Sequence, residues 1–207
     1  MATIIVCIDH HPLREMDSDI DKRIKDAGLG DWCSTLAPEA IRILSRYTGR
    51  LEEGQGPKSS LLKMAQAANE EENHKFAILL AEEGLKVDGD SLEQYLLLEE
   101  MILAHAELNR LADAKQYCEM GLELIPEVLE SLKESNGGEV PKDMACRNRM
   151  IDIVVGIEGD YERAGELLQL YLDMGLIDQK ELDYRTQSLK IHRLQRTLDS
   201  VYSVRFK

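Results

Sequence analysis

Residues 114–126 read Ala114-Lys115-Gln116-Tyr117-Cys118-Glu119-Met120-Gly121-Leu122-Glu123-Leu124-Ile125-Pro126, and the outline of this stretch recurs along the chain. It begins with an alanine, has another small residue seven positions later, and places a leucine directly after that residue. Residues 77–88 repeat the outline with Ala77, Gly84 and Leu85, and a weaker copy begins at Ala164. Small residues at fixed helical spacing let paired helices pack closely, so the recurrence predicts stacked helical hairpins.

The amino-acid composition favours the same helical architecture. Hydrophobic residues make up 43% of the 207-residue chain, but only two Phe and one Trp are present. Helical repeats use such a composition, whereas sandwiches and barrels contain more aromatic and β-branched residues. The sequence therefore predicts a mainly α protein with a sizeable core.

The charge of the chain is strongly negative and unevenly distributed. A net charge of −14 excludes general binding of nucleic acids or anionic membranes by the whole surface. Residues 180–207, however, carry seven Lys or Arg and three acidic residues, a net charge of +4, which leaves −18 for the rest. Nucleic-acid contact by this basic C-terminal segment is therefore kept as an alternative function.

Targeting signals and cysteine usage indicate the compartment. The sequence shows neither a signal peptide nor a stretch long and apolar enough to span a membrane. The four cysteines, Cys7, Cys33, Cys118 and Cys146, form no close pair along the chain. We expect a protein of the reducing cytoplasm, with no membrane partner.

Turn and linker signals divide the chain into three segments. Gly54-Gln55-Gly56-Pro57 is the clearest linker, and the helical pattern begins directly after it. The segments are a non-repeat N-terminal segment (residues 1–56), three helical hairpins (residues 57–176) and a basic C-terminal helix (residues 177–207).

Several element boundaries can be predicted from local signals. A β-branched run predicts a strand at residues 3–8, and Pro38 is placed to open a helix. Ser91 is expected to cap the first helix of the second hairpin, with Gln94 at the capping-box position. Pro126 is expected to end the second helix of that hairpin and to start an added helix, Glu127 to Lys133, which Ser135-Asn136-Gly137-Gly138 breaks.

The C-terminal helix carries a heptad seam. Its apolar or tolerated positions are separated by alternating steps of three and four residues, the pattern of a coiled coil. These positions are Tyr184, Gln187, Ile191, Leu194, Leu198 and Val201. The seam predicts either capping of the protein's own last hairpin, at Leu168, Tyr171 and Leu172, or a homodimer. The acidic body and basic helix favour capping within a monomer.

The paired helices resemble the tetratricopeptide repeat family over residues 58–176. That family repeats every 34 residues or so, whereas the spacings here are 37 and 50, which implies insertions. The second unit matches best, through Leu98, Met101, Leu111, Ala114, Cys118, Gly121, Leu122 and Pro126. The first unit matches through Leu61, Met64, Ala65, Ala68, Ala77, Ala81, Gly84 and Leu85. The third keeps Ile151, Tyr161, Ala164 and Leu168. The resemblance implies a tetratricopeptide-like helical-hairpin solenoid.

The same resemblance implies a concave groove lined by the first helix of each hairpin. A mostly apolar floor with Glu99 and Glu100 at its rim would suit a basic amphipathic helix, unless the protein's own last helix fills it. The expected function is a non-catalytic adaptor that binds a protein or peptide partner. The partner-binding residues implied are Leu62, Gln66, Asn69, Leu96, Glu99, Leu103, Arg149, Met150 and Ile153.

A short N-terminal motif suggests an enzymatic alternative. Asp9-His10-His11, directly after the predicted strand, resembles one motif of the DHH phosphoesterases, whose paired divalent metals activate water against a phosphoester. The family's further metal-binding aspartates and glycine-rich domain are missing from this chain. Three residues cannot hold two metals, so we expect neither a metal cofactor nor an enzyme.

A zinc site is a further alternative for the same region. Cys7, His10, His11 and Cys33 have the number and chemistry of zinc ligands, but their spacing matches no compact zinc motif. We therefore expect no metal there.

Overall fold

A computed structural model of the protein describes residues 18–205, with side chains as far as Asp199. Within residues 18–205 the chain forms ten α-helices and no strand, which confirms the mainly α prediction. The predicted strand at residues 3–8 lies outside the described residues. The helices are α1 (Ser18–Asp26), α2 (Gly30–Thr35), α3 (Pro38–Tyr47), α4 (Pro57–Glu70), α5 (His74–Lys86), α6 (Ser91–Glu107), α7 (Leu111–Ser135), α8 (Ala145–Ile153), α9 (Tyr161–Asp173) and α10 (Gln179–Arg205). None of the helices described is both long and apolar enough to cross a membrane.

The chain divides into two compact units, the first ending at Gly89 and the second beginning at Asp90. Unit 1 holds α1–α5 and unit 2 holds α6–α10. The division falls inside the predicted repeat segment, after its first hairpin, and not at the linker before Pro57.

Unit 1 follows its local sequence signals closely. Gly28, with a φ of +72°, lies in the turn after α1, in a left-handed conformation that glycine adopts readily. Pro38 and Pro57 each open a helix, where a missing backbone N–H breaks no hydrogen bond. The hairpin of α4 and α5 is closed by small and aliphatic side chains with no exposed surface: Leu61, Met64, Ala65, Ala68, Ala77, Leu80 and Ala81.

Unit 2 is built around the helix that carries the opening motif. α7 packs against both α6 and α8, while α10 packs against α9. A Cβ placed on Gly121 would lie 3.1 Å from the Cβ of Cys146 in α8, so the glycine permits the close approach of these helices. The alanines that begin the three copies of the motif, Ala77, Ala114 and Ala164, have no exposed surface.

The prediction that Pro126 ends a helix is wrong. α7 continues through Pro126 to Ser135, as a single helix of 25 residues. An interior proline costs about 3 kcal/mol. The turns beyond it bury Val128 and Leu132, and each fully buried aliphatic side chain is worth roughly 1.5–3 kcal/mol. Tertiary burial therefore offsets the local penalty.

The cap of α6 differs from the prediction, and the end of α8 has a feature that was not predicted. Asp90 caps α6 in place of Ser91, because its carboxylate accepts a 2.7 Å hydrogen bond from the Glu93 backbone N–H. The Ser91 hydroxyl donates instead to Glu127 on α7, at 2.8 Å. α8 continues as a single π-helical turn, Val154–Glu158, before Gly159 ends it in the left-handed conformation.

Candidate functional site

Three of the nine predicted partner-binding residues lie on α4 in unit 1. Leu62 is buried, with 7% of its surface exposed. Gln66 and Asn69 are partly exposed, and the Asn69 side-chain oxygen lies 3.1 Å from Nδ1 of His74 across the turn to α5. Asn69 therefore also joins the two helices of its own hairpin.

The other six predicted residues lie on α6 and α8 in unit 2, two helices that contact each other. Met150 and Ile153 of α8 are buried, so they form the floor and offer little surface of their own. Leu96 and Leu103 of α6 are partly buried and pack against the hydrophobic core. We call the part of these two packed helices that carries the six residues the α6–α8 surface.

Glu99 holds α6 and α8 together. Its two carboxylate oxygens accept hydrogen bonds from the backbone N–H groups of Ala145 and Cys146, at 2.5 and 2.8 Å. These donors belong to the first turn of α8, whose N–H groups have no partner within the helix. A carboxylate at a helix N-terminus is also favoured by the helix dipole. The Glu99 carboxylate is therefore engaged in the fold, although the sequence places it on the rim of a groove.

Burial changes the acid–base properties around Glu99. Removal from water raises the pKa of the Glu99 carboxyl above its usual range, and the backbone donors from Cys146 and Ala145 counteract this only in part. The Tyr95 hydroxyl lies 3.5 Å from the Cys146 sulfur, and burial raises the pKa of both groups. Burial also raises the pKa of Cys118 to about 12. These thiols stay protonated at neutral pH, so the cluster lacks the thiolate that nucleophilic catalysis needs.

Charged side chains border the α6–α8 surface. Arg149 contacts Glu107 at 3.3 Å and Asp152 at 3.8 Å, and all three side chains reach solvent. Exposed pairs of this kind contribute about 0–1 kcal/mol each, so they orient charge at the surface more than they stabilise the fold.

The inner face of α10 packs on the body of unit 2. Leu182 and Leu189 are partly buried against the hydrophobic core. Nδ1 of His192 lies 3.1 Å from the Tyr161 hydroxyl, and the Arg196 guanidinium donates to the backbone carbonyl of Val155 at 3.1 Å. The inner face of the helix therefore packs on its own unit, in which Leu168 and Tyr171 of α9 are buried.

The seam predicted for α10 is not the face that makes this contact. The exposed fraction of its residues is 74% for Tyr184, 51% for Ile191, 64% for Leu194 and 55% for Leu198. The predicted seam is thus exposed, and the choice between capping and a homodimer through it stays a prediction. Leu182 and Leu189, seven residues apart, are a second apolar stripe that sequence reasoning missed, although the spacing is visible in the sequence.

A second overlooked residue is Arg147, which is only 2% exposed. Its guanidinium donates to the carbonyl of Leu176 and to that of Lys142, both at 2.7 Å. Arg147 thus ties α8 to the turn that precedes α10. Nothing in the local sequence distinguishes Arg147 from the neighbouring Arg149, because their difference arises from tertiary packing.

An open cleft of about 620 Å³ separates the start of α9 from α10. Its walls carry acidic residues from one side and basic residues from the other: Glu158, Asp160 and Glu162, and Arg193 and Arg196. Arg196 donates to a backbone carbonyl, and Asp160 caps α9 by accepting from the Arg163 N–H at 2.9 Å. The cleft walls are therefore used within the fold.

The structure describes only part of the predicted metal-binding residues. Asp9, His10, His11 and Cys7 lie outside the described residues. Cys33 is buried in unit 1, and burial raises its pKa to about 12. Among the side chains from residue 18 to 199, no three His, Cys, Asp or Glu groups converge as a metal site.

Comparison with known proteins finds a relative that shares most of its length with this chain. An uncharacterized protein of Aquifex aeolicus (strain VF5) is 35% identical over 166 residues, which cover 70% of this chain and 81% of the relative. No family model and no solved structure matches the chain. The chain belongs to the same family as the Aquifex aeolicus protein.

Proposed function

We propose that this protein is a non-catalytic adaptor of the cytoplasm that binds a protein or peptide through the α6–α8 surface, as a tetratricopeptide-like groove would. The observation that carries the proposal is that Leu96 and Leu103 of α6 are only partly buried, on a helix that packs against α8 and is joined to Arg149 of α8 through Glu107. Apolar side chains that are partly exposed and bordered by charge are typical of a surface that binds an amphipathic segment.

The α6–α8 surface is rigid before any partner binds. Met150 and Ile153 are buried beneath it, and Glu99 fixes the first turn of α8 to α6 through two backbone hydrogen bonds. Binding to a preorganised surface loses less conformational entropy than binding to a mobile one. This supports recognition of a partner by a fixed face.

The charges nearby favour a basic partner. Glu107 and Asp152 are exposed at the edge of the surface, and Glu100 lies on the same helix as Glu107. The body of the chain, residues 1–179, carries a net charge of −18. A helix with leucines on one face and Lys or Arg on its borders would match both the apolar strip and these acids.

A pair of matched leucine substitutions tests the proposal. A partner is first isolated with the tagged full-length chain, and its affinity is then measured by calorimetry for wild type, Leu103→Asp and Leu170→Asp. Leu170 is 43% exposed on α9, outside the α6–α8 surface, and serves as the control. We expect at least a tenfold loss of affinity for Leu103→Asp, since an apolar contact of this kind is worth 1.4 kcal/mol or more.

Two further measurements make the outcome decisive. Thermal unfolding of both variants shows whether a lost affinity reflects lost folding. Glu107→Lys should lower the affinity for a basic partner, and this loss of affinity should be larger at low salt than at high salt. Equal affinities for the wild type and for a folded Leu103→Asp variant would exclude this surface.

The two alternatives predicted from the sequence have separate tests. Elemental analysis showing two equivalents of manganese or zinc, lost in His11→Ala, would favour a metal-dependent phosphoesterase that uses Asp9, His10 and His11. Salt-sensitive binding to nucleic acid, lost when Arg193 is replaced by Glu, would favour contact by the C-terminal helix.

A further inference from the structure

α10 carries two apolar stripes on opposite faces. Leu182 and Leu189 lie at equivalent heptad positions and pack against the core of unit 2, with Arg196 next in that row. Tyr184, Ile191 and Leu198 form a second row at heptad spacing, and Leu194 lies beside it. A helix that only caps its own unit needs one stripe, so the second requires another explanation.

The outer stripe is the largest concentration of exposed apolar side chains in the described part of the chain. Of the seven large hydrophobic residues exposed there, four belong to it: Tyr184, Ile191, Leu194 and Leu198. The other three, Met120, Ile157 and Leu170, lie on other helical segments. Contiguous apolar surface rimmed by polar residues marks a binding surface.

We propose that the outer stripe of α10 pairs with the same stripe of a second copy of this chain, in an antiparallel coiled coil. This inference does not depend on the proposed α6–α8 function, because the two surfaces share no residue. The second copy would cover the outer stripe, which the fold of a single chain leaves exposed.

The residues beside the stripe are compatible with a second copy. In the heptad of the outer stripe, Ile191 and Leu198 occupy a positions and Leu194 occupies a d position. Between residues 188 and 197, the e and g positions that flank this seam are Ser188, Lys190, Gln195 and Thr197. Only one of these four is charged, so no row of like charges faces its copy. The basic side chains of Arg193 and Arg196 lie at positions away from the seam, and Arg196 is held by Val155.

Charge favours the antiparallel orientation. Residues 180–207 carry +4 and the rest of the chain −18, so a parallel pair would bring two acidic bodies together. An antiparallel pair instead directs each basic helix end towards the acidic body of the other chain. The register that pairs a with d positions at the centre of the stripe places Ile191 opposite Leu194 of the partner subunit.

The mass of the full-length chain in solution tests the pairing. Interfaces of modest size associate at micromolar concentrations, so light scattering of the wild type is measured between roughly 10 and 200 µM protein. As the concentration rises, the average mass should increase from the chain mass of 23.5 kDa towards twice that value. Leu194→Asp should weaken self-association at least tenfold with an unchanged circular dichroism spectrum, since it places a charge in the seam. Leu170→Asp is the matched control and should associate like wild type.

Cysteine cross-linking tests the orientation. In a Cys7→Ser background, the remaining native thiols, Cys33, Cys118 and Cys146, are buried. A mixture of Ile191→Cys and Leu194→Cys chains should form disulfides between unlike chains, because these positions face each other only in the antiparallel register.

Four outcomes would overturn the proposal. The first is a monomeric wild type across the whole concentration range, which would leave the stripe for a different protein. The second is self-association that Leu194→Asp does not weaken. The third is disulfide formation by Leu194→Cys alone, which indicates a parallel pair, and the fourth is a mixture that forms no disulfide.

Discussion

The interior of unit 2 and the outer stripe of α10 both have apolar residues at helical spacings of three or four, but these residues have opposite environments. Leu98 and Met101 of α6 are three residues apart and have no exposed surface. Leu194 and Leu198 of α10, four residues apart, are 64% and 55% exposed. Periodicity therefore locates an apolar stripe on a helix, but the neighbouring helices decide whether the stripe is covered.

The neighbours of the two helices explain this difference. α6 contacts both α7 and α8, whereas α10 packs against α9 and leaves its outer stripe exposed. Substitutions should thus have large effects on stability inside unit 2 and small effects at its surface. Four measurements test that gradient, in order of decreasing expected effect.

The largest effect is expected for Arg147→Ala. This substitution removes a buried side chain and leaves the Leu176 carbonyl without its donor. A cavity together with an unsatisfied carbonyl should lower the free energy of unfolding by about 2–4 kcal/mol. Urea denaturation measures the change, and a loss below roughly 0.5 kcal/mol would contradict the assigned role.

The next effect is expected for Ala114→Leu and Ala164→Leu. Both alanines have no exposed surface, so a larger side chain should overpack the helix contact and cost about 1–3 kcal/mol. Gly165→Ala is a matched control, because a Cβ there meets nothing within 4 Å. It should stabilise α9 by up to about 1 kcal/mol. Melting temperatures that rank the three variants differently would show that the repeat alignment is wrong.

The gradient also shows which parts of the fold could be predicted from the sequence. Pro38 and the three motif alanines act through local geometry or helical spacing, and their places in helices were predicted correctly, whereas Pro57 was assigned to the linker and in fact opens α4. The continuation of α7 through Pro126 depends on burial of Val128 and Leu132 by other helices. No local signal near Pro126 reveals that burial.

The third measurement concerns the pH dependence of Glu99. Its pKa is raised in the folded chain from an ordinary value of 4.5, chiefly by burial, so the folded state holds this proton more tightly than the unfolded state. The stabilising contribution of Glu99 is therefore complete below pH 4.5 and decreases as the pH rises through the raised pKa. In Glu99→Gln this dependence is absent.

The difference in unfolding free energy between wild type and Glu99→Gln isolates this group from the other carboxylates. It should fall as the pH rises from 4 to 8. A difference that grows with pH would mean that the two backbone donors outweigh burial. Denaturation at constant ionic strength keeps the surface charges comparable.

The smallest effect is expected for Arg149→Ala, the surface counterpart of Arg147→Ala. Arg149 is 39% exposed, and its pairs with Glu107 and Asp152 are open to solvent. The expected loss is about 0–1 kcal/mol and should vanish at high salt. A loss as large as that of Arg147→Ala would erase the distinction between interior and surface.

The candidate site was predictable only in part. The positions of Leu96 and Leu103 on α6 follow from helical spacing, and their role in binding stays a prediction. The role of Glu99 was not predictable, because it depends on the distance between α6 and the first turn of α8. That distance is set partly by Gly121, whose close contact with Cys146 appears only when the helices are packed.

The π-helical turn at the end of α8 has a consequence for how this family can diverge. Arg196 donates to the backbone carbonyl of Val155, so the attachment of α10 at this point does not depend on which side chain residue 155 carries. Gly159 is constrained twice, since its φ is +67° and a Cβ there would lie 2.8 Å from the Arg196 guanidinium. Evolutionary drift should therefore be confined to the exposed positions 156–158 of the turn, because Val154 and Val155 are buried and Gly159 is held by its φ.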